Sequence, residues 1–239
     1  MTTTATPAEI KGGAWLLEES APGDTFTPER LSEEHRLIDQ TAEEFVSKEI
    51  IANHDQLETK DWELARQLVR RAGELGLMGT DVPEAYGGVE LDKASSVVVG
   101  CRIGQGGSFG STYGAQTGLA ILPLQCFGTD DQKARYLEKL VSGEWVGAYC
   151  LSESGSGSDA LGAKTRATRQ EDGSYKISGE KMWITNGGFA DLFVVFAKVD
   201  GEHFTAFLVE RTYPGVSTGK EEHKMGLHGS STTPVILQD

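Results

Sequence analysis

The chain has 239 residues, 38% of them hydrophobic and 24% charged, and its 22 Lys and Arg against 36 Asp and Glu leave a net charge of -14. That length builds one large or two smaller domains with their own cores, and the acidic balance argues against a nucleic-acid partner, which needs a clustered cationic surface. No apolar run reaches the ~20 residues of a membrane-spanning helix. Cys101, Cys126 and Cys150 form no Cys-x-x-Cys pair and the five histidines are scattered, so neither a disulfide framework nor a metal site is expected. The amino terminus, MTTTATPAEIKGG, has neither the apolar core of a secretory signal nor the arginine-rich pattern of a transit peptide, and the expected location is cytoplasmic.

Residues 1–26 form a leader, and from Thr27 the apolar period is helical. Thr27 is the predicted cap of a first helix with Pro28 in its first turn, and Leu37, Ile38, Thr41, Ala42, Phe45, Val46 and Ile50 make one stripe. A second helix starts near Asp61, turns Trp62, Ala65, Leu68, Ala72 and Leu75 inward and stops at Gly76. Thr80 to Leu91, with Pro83, Gly87 and Gly88, is a loop. Two more helices are predicted at about residues 93–105 and 108–127, separated by Gly104, Gly106 and Gly107. Thr129 to Gln132 spells a capping box and opens a helix with Ala134, Leu137 and Leu140 facing in. Residues 27–145 are thus predicted to form an all-α domain.

Beyond Gly147 the period becomes alternating. Residues 164–169 and 175–178 flank Glu171-Asp172-Gly173, and residues 192–199 and 203–209 flank Asp200-Gly201, which predicts two hairpins. Residues 146–239 therefore form a small antiparallel β-barrel or sandwich, incomplete at its end, and the whole is an α+β multidomain chain.

Two segments carry chemistry. Tyr149 to Asp159, YCLSESGSGSD, joins hydroxyls, glycines and carboxylates, so backbone can approach a ligand while side chains offer donors. Met182 to Gly188, MWITNGG, sets an indole beside a hydroxyl, able to pack on a planar ring and bond its edge. A serine-glycine run alone favours a surface loop, and a lone tryptophan a core anchor. The two together favour a flavin, which needs a flat wall, donors to its pyrimidine and control of its reactive edge. Glu153 is expected to order its own loop as an acceptor; a catalytic carboxylate would need a raised pKa and a place facing the substrate.

These residues resemble the acyl-CoA dehydrogenase family, whose motifs run (Tyr/Phe)-Cys-hydrophobic-(Ser/Thr)-Glu…Gly-Ser-Asp and Trp-Ile-(Thr/Ser)-Asn-Gly. Supporting pieces are Gly76-Leu77-Met78-Gly79, Val82 to Gly88, Gly128 to Lys133 and Lys224 to Ser230, and the likeness covers about residues 30 to 239. Ser154 departs from a common proline, and Ser152 replaces a common threonine but keeps the hydroxyl. The resemblance implies FAD held by Tyr149, Cys150, Leu151, Ser152, Gly157, Ser158, Trp183, Ile184 and Thr185, with Ser158 also touching the acyl-CoA. Gln116 and Thr117 belong to a stretch that lines the family's acyl-chain cavity, ordinary helix packing being the equal alternative. Also implied are α,β-dehydrogenation of a fatty acyl-CoA to a trans-2-enoyl-CoA in fatty acid β-oxidation, electron-transfer flavoprotein as acceptor, and a homo-oligomer at full length. An acyl-CoA oxidase, passing electrons to oxygen, is the alternative enzyme. The family's base is a glutamate of a carboxy-terminal four-helix bundle that a chain ending at Asp239 does not reach. No catalytic residue is therefore assigned here, and the 239-residue piece alone is expected to be an inactive flavin- and acyl-CoA-binding fragment. Ala206 to Arg211 and the leader look most like the long-chain and very-long-chain branch.

Overall fold

The computed structural model describes Leu17 and residues 26–238, so the rest of the leader lies outside the described residues. Thr27 does not cap a long helix. It precedes a single 3-10 turn, Pro28–Arg30, and its side chain makes no capping bond. The first helix, α1 (Glu33–Phe45), is capped by Ser32, whose hydroxyl accepts from the His35 N–H while the His35 ring accepts from the Ser32 N–H. A histidine closes this box where Glu or Gln is the usual signal, so the local sequence points to Thr27 and the fold uses Ser32. His35 also reaches Asp92, 2.9 Å away, which caps α4 (Lys93–Ile103). Leu37 is 61% exposed rather than part of the stripe, which Ala42, Phe45, Val46 and Ile50 carry.

From α1 the chain continues through a π turn (Val46–Ile50) and a 3-10 turn (Ile51–Asn53) into α2 (His54–Glu58). Asp61 caps α3 (Trp62–Glu74), and Gly76 breaks it with φ 73°, a left-handed value that suits glycine. The helix expected over residues 108–127 is three pieces: α5 (Ser108–Gly114), a π turn (Ala115–Ile121) and α6 (Leu122–Phe127). The capping box of Thr129 and Gln132 forms as expected and opens α7 (Asp130–Val141), though Tyr136, not Ala134, joins Leu137 and Leu140 inside. Among the described residues no helix is long and apolar enough to cross a membrane.

The strands are β1 (Gly147–Cys150), β2 (Arg166–Arg169), β3 (Tyr175–Thr185), β4 (Leu192–Val199), β5 (His203–Glu210), β6 (Val216–Thr218) and β7 (Thr232–Leu237). Both expected hairpins are present: β2 pairs β3, and β4 pairs β5 from Leu192↔Glu210 to Val199↔His203. The sheet is mixed, however, not purely antiparallel. On its other edge β4 takes β1 in parallel at residues 192–195 and β2 in parallel at 198–199. A strand paired on both edges suits the near-continuous apolar run Leu192 to Val195, all buried.

Helices and sheet share their cores. One cluster joins Phe45, Ile50, Ile103 and Phe109 to Ala148, Cys150, Phe193 and Val195, and a smaller one joins Leu124, Leu137 and Leu140 to Leu192. The face that the helices offer is thus closed by β1 and β4, which fixes where β1 ends and the serine-glycine loop begins.

Candidate functional site

Alternation along β1 sends neighbouring side chains to opposite faces. Tyr149 packs on the ring of Phe196, 4.9 Å between centroids, whereas Cys150 is fully buried and its thiol is pushed well above the usual range by burial. Cys150 can therefore offer a ligand its backbone only.

After β1 the loop folds on itself. The Glu153 and Ser156 backbones exchange hydrogen bonds of 2.9 and 3.1 Å, and the Ser156 hydroxyl donates to the Asp159 carbonyl. Ser156 is thus structural. Gly155 and Gly157 face open space, with no atom within 4 Å of where a Cβ would stand, and Ser158 is exposed beside them. Leu151 and Ser152 are half-buried, and the Ser152 carbonyl accepts from the Met182 N–H at 2.9 Å, tying the loop to β3.

Glu153 is the acceptor expected of it. Its buried carboxylate takes the Lys164 N–H (2.6 Å), the Thr165 N–H (3.0 Å), the Thr165 hydroxyl (2.6 Å) and the Lys181 ammonium (2.8 Å). Burial by itself would raise its pKa, but Lys181, Thr165 and the two backbone N–H groups together bring it down to about 2. A carboxylate held ionised by four donors is a poor proton acceptor and orders residues 153–165 instead.

Trp183 sits on a bulge. Lys181 pairs with Val235 of β7 and Ile184 with Thr233, so β3 carries one residue more than its partner there. Trp183 takes φ 57°, a left-handed value uncommon for an aromatic residue, and is 54% exposed between Lys181 and Ile184, which are buried. It is therefore not a core anchor; the strand is bent to hold its indole outward. Ile184 offers backbone only, while the half-buried Thr185 pairs with Thr232 at the mouth of the β3–β7 ladder.

Asn186, also left-handed at φ 64°, is buried and donates to the Thr112 and Gly147 carbonyls, each at 3.1 Å, so the segment after the tryptophan is bolted to α5 and β1. Its Oδ1 has no partner among the described residues. The Gly188 N–H donates to the Ser231 hydroxyl at 2.9 Å, and a Cβ on Gly187 would strike Thr233, so both glycines are needed where β3 meets its neighbours. Arg66 donates to the Phe189 carbonyl and Asp191, and Arg211 to the Gly187 and Ala190 carbonyls, which clamp the return into β4.

The two expected substrate residues part company. Thr117 lines a cavity of about 580 Å³ that also takes in Gly100, Gly104, Gly114 and Gly118 and is bordered by Leu227. Gln116 faces the other way and is fully buried. Its amide donates to the Leu140 (2.8 Å) and Trp145 (2.9 Å) carbonyls and its Oε1 accepts from the Gly147 N–H (2.6 Å). With its amide given to three backbone groups, it is a clamp between helices and β1, the packing role that was the equal alternative for this stretch. Neighbouring positions on one turn point to different faces, which spacing within a motif does not show.

Sequence reasoning missed Lys181 and the structural side of Asn186. Lys181 lies outside the tryptophan motif by one position and carries no signal of burial, since lysines are almost never fully buried.

Comparison with known proteins agrees with this arrangement. The profile of the acyl-CoA dehydrogenase N-terminal domain matches residues 32–144 and that of the acyl-CoA dehydrogenase middle domain residues 148–239. A probable acyl-CoA dehydrogenase of Bacillus subtilis is 50% identical over 228 residues, 95% of this chain and 38% of that protein. The crystal structure of a Bacillus anthracis acyl-CoA dehydrogenase complexed with FAD superposes with a TM-score of 0.93 at 49% identity, covering 96% of this chain and 40% of that one. A structure described as an electron transferring flavoprotein of Acidaminococcus fermentans superposes at 0.81 with 35% identity, covering 89% of this chain and 57% of its own. The chain spans about two fifths of the length of the two Bacillus relatives. With two domain profiles matched end to end, the chain belongs to the acyl-CoA dehydrogenase family.

Proposed function

We propose that this chain forms one wall of an FAD and acyl-CoA site and serves the α,β-dehydrogenation of a fatty acyl-CoA to a trans-2-enoyl-CoA. The observation that carries the reading is Trp183, a half-exposed indole presented on a left-handed bulge and joined to a loop of open glycines. Strained backbone of this kind clusters at ligand-binding and active sites. The residues fit a flavin: the indole gives a flat wall, the Leu151 and Ser152 backbone and the Ser152 and Thr185 hydroxyls give donors, and Gly157 lets backbone come close. Tyr149 contributes from the end of β1, and Cys150 and Ile184 through their backbones. Bound FAD supplies the acceptor for the hydride that leaves the substrate.

The chain's own part is to bind and orient. Ser158, exposed beside the loop, is the proposed contact to the acyl-CoA, and the cavity beside Thr117 is the proposed place of the acyl tail, its glycines leaving room for a long one. Glu153 is not the base. Electron-transfer flavoprotein is the proposed acceptor, the assembly a homo-oligomer at full length, and the compartment the reducing cytoplasm, which suits three unpaired cysteines. We place the domain boundary at residues 145–146.

The test is a titration with FAD followed by tryptophan emission, repeated with Trp183→Ala. Removing the stacking surface is expected to weaken binding at least about tenfold. In the polypeptide that extends through the family's remaining domain, anaerobic addition of a long-chain acyl-CoA should bleach the flavin band. Absence of bleaching at every chain length sinks the assignment, and peroxide release in air would mark an oxidase.

A further inference from the structure

Lys181 is completely buried, with Nζ 2.8 Å from Glu153 and 3.1 Å from the Leu151 carbonyl. An ammonium taken out of water is costly unless its protons are well placed, and here one of them goes to a single backbone oxygen. That oxygen belongs to the same planar peptide unit as the Ser152 N–H. Among the described residues no hydrogen bond uses the Ser152 N–H, whereas the Ser152 carbonyl is fixed by Met182. A peptide whose carbonyl faces a cation donates more strongly through its N–H, because hydrogen bonds in a chain polarise one another. Lys181 is also the residue at which β3 leaves register with β7, two positions before Trp183. Its side chain thus holds the donor loop through Leu151, while its backbone makes the last pair in register before the bulge that presents the indole.

We propose that Lys181 is a positioning residue of the cofactor site: through the Leu151 carbonyl it fixes and polarises the Leu151–Ser152 peptide, so that the Ser152 N–H is a strengthened donor to the electron-rich edge of a ring stacked on Trp183. Glu153 is its counter-charge. The identity of the ring as flavin rests on the function proposed above; the fixing of the peptide does not.

Three variants of this chain test it: Lys181→Met, Lys181→Arg and the double Glu153→Gln/Lys181→Met. Each is followed by thermal unfolding, by amide exchange over residues 151–158 and by FAD titration. Lys181→Met leaves the Glu153 carboxylate buried without its cation and should lower the midpoint of unfolding. The double variant carries no charge at either position, so its midpoint should recover in part, short of the parent by the acceptor that the amide no longer gives the Lys164 or Thr165 N–H. Its exchange over residues 151–153 should stay at least about tenfold faster than in the parent chain, because the bond to the Leu151 carbonyl is still missing. FAD binding should stay weaker by a similar factor, and Lys181→Arg, which can still reach the carbonyl, should recover part of both. A merely structural ion pair predicts the opposite, that the neutral pair restores everything. A double variant with parental exchange at residues 151–153 and parental FAD affinity overturns the proposal, even if Lys181→Met alone fails to fold. Should the parent chain bind no FAD, exchange alone decides, and it is the flavin reading of the site that fails.

Discussion

Glu153→Ala is expected to be the most damaging single change on the sheet side, lowering the free energy of unfolding by about 3–5 kcal/mol, the usual result of removing one partner of a buried ion pair. It leaves the Lys181 ammonium without its counter-ion and the Thr165 hydroxyl and the Lys164 and Thr165 N–H groups without their acceptor. Urea titration checks it, and a loss below about 1 kcal/mol would show that water reaches the pair. The same carboxylate gives the stability an acid dependence. Its pKa falls from the usual 4.5 unfolded to about 2 folded, so the unfolded chain binds the proton more readily. The contribution, about 3 kcal/mol from that displacement, is fully present above pH ~4.5, declines as the pH falls and is gone below about 2. In Glu153→Gln this part of the slope between pH 5 and about 2 should vanish while the rest of the acid transition remains.

Gln116→Ala is expected to cost about 3 kcal/mol, measured as a lower urea midpoint at unchanged slope. The side chain satisfies the Gly147 N–H and the Leu140 and Trp145 carbonyls in the interior, and alanine would leave these unpaired around a small cavity. Gln116→Glu should be worse still, since it sets a carboxylate against two carbonyls with no cation. Because the clamp joins the π turn after α5 to the first residue of β1, its loss should also loosen the serine-glycine loop. An equally stable Gln116→Ala chain would return this residue to the substrate role that its motif suggests.

The helical half was legible where signals are local. The capping box at Thr129 and Gln132 and the stop at Gly76 need only a few neighbouring residues, as does the β4–β5 hairpin turning at Asp200-Gly201. The acceptor role of Glu153 was legible too, because a carboxylate in a loop rich in backbone donors has an obvious use. The cap at Ser32 was not legible, because its box is closed by His35, whose second ring nitrogen is held by Asp92 from another helix.

What the sequence determined by itself is the change from helices to strands near Gly147, the ends of α3 and α7 and the turns of the two hairpins, since period, caps and turns act over a few residues. Tertiary structure alone decided that β1 and β2 lie parallel to β4, that Gln116 turns to the core while Thr117 faces the cavity, and that Trp183 is pushed outward by a bulge. It also decided that Lys181 is buried against Glu153, 28 positions away. Each depends on partners distant in the chain, and the cost of burying a polar or charged group is settled by those partners, not by the residue's own type or spacing.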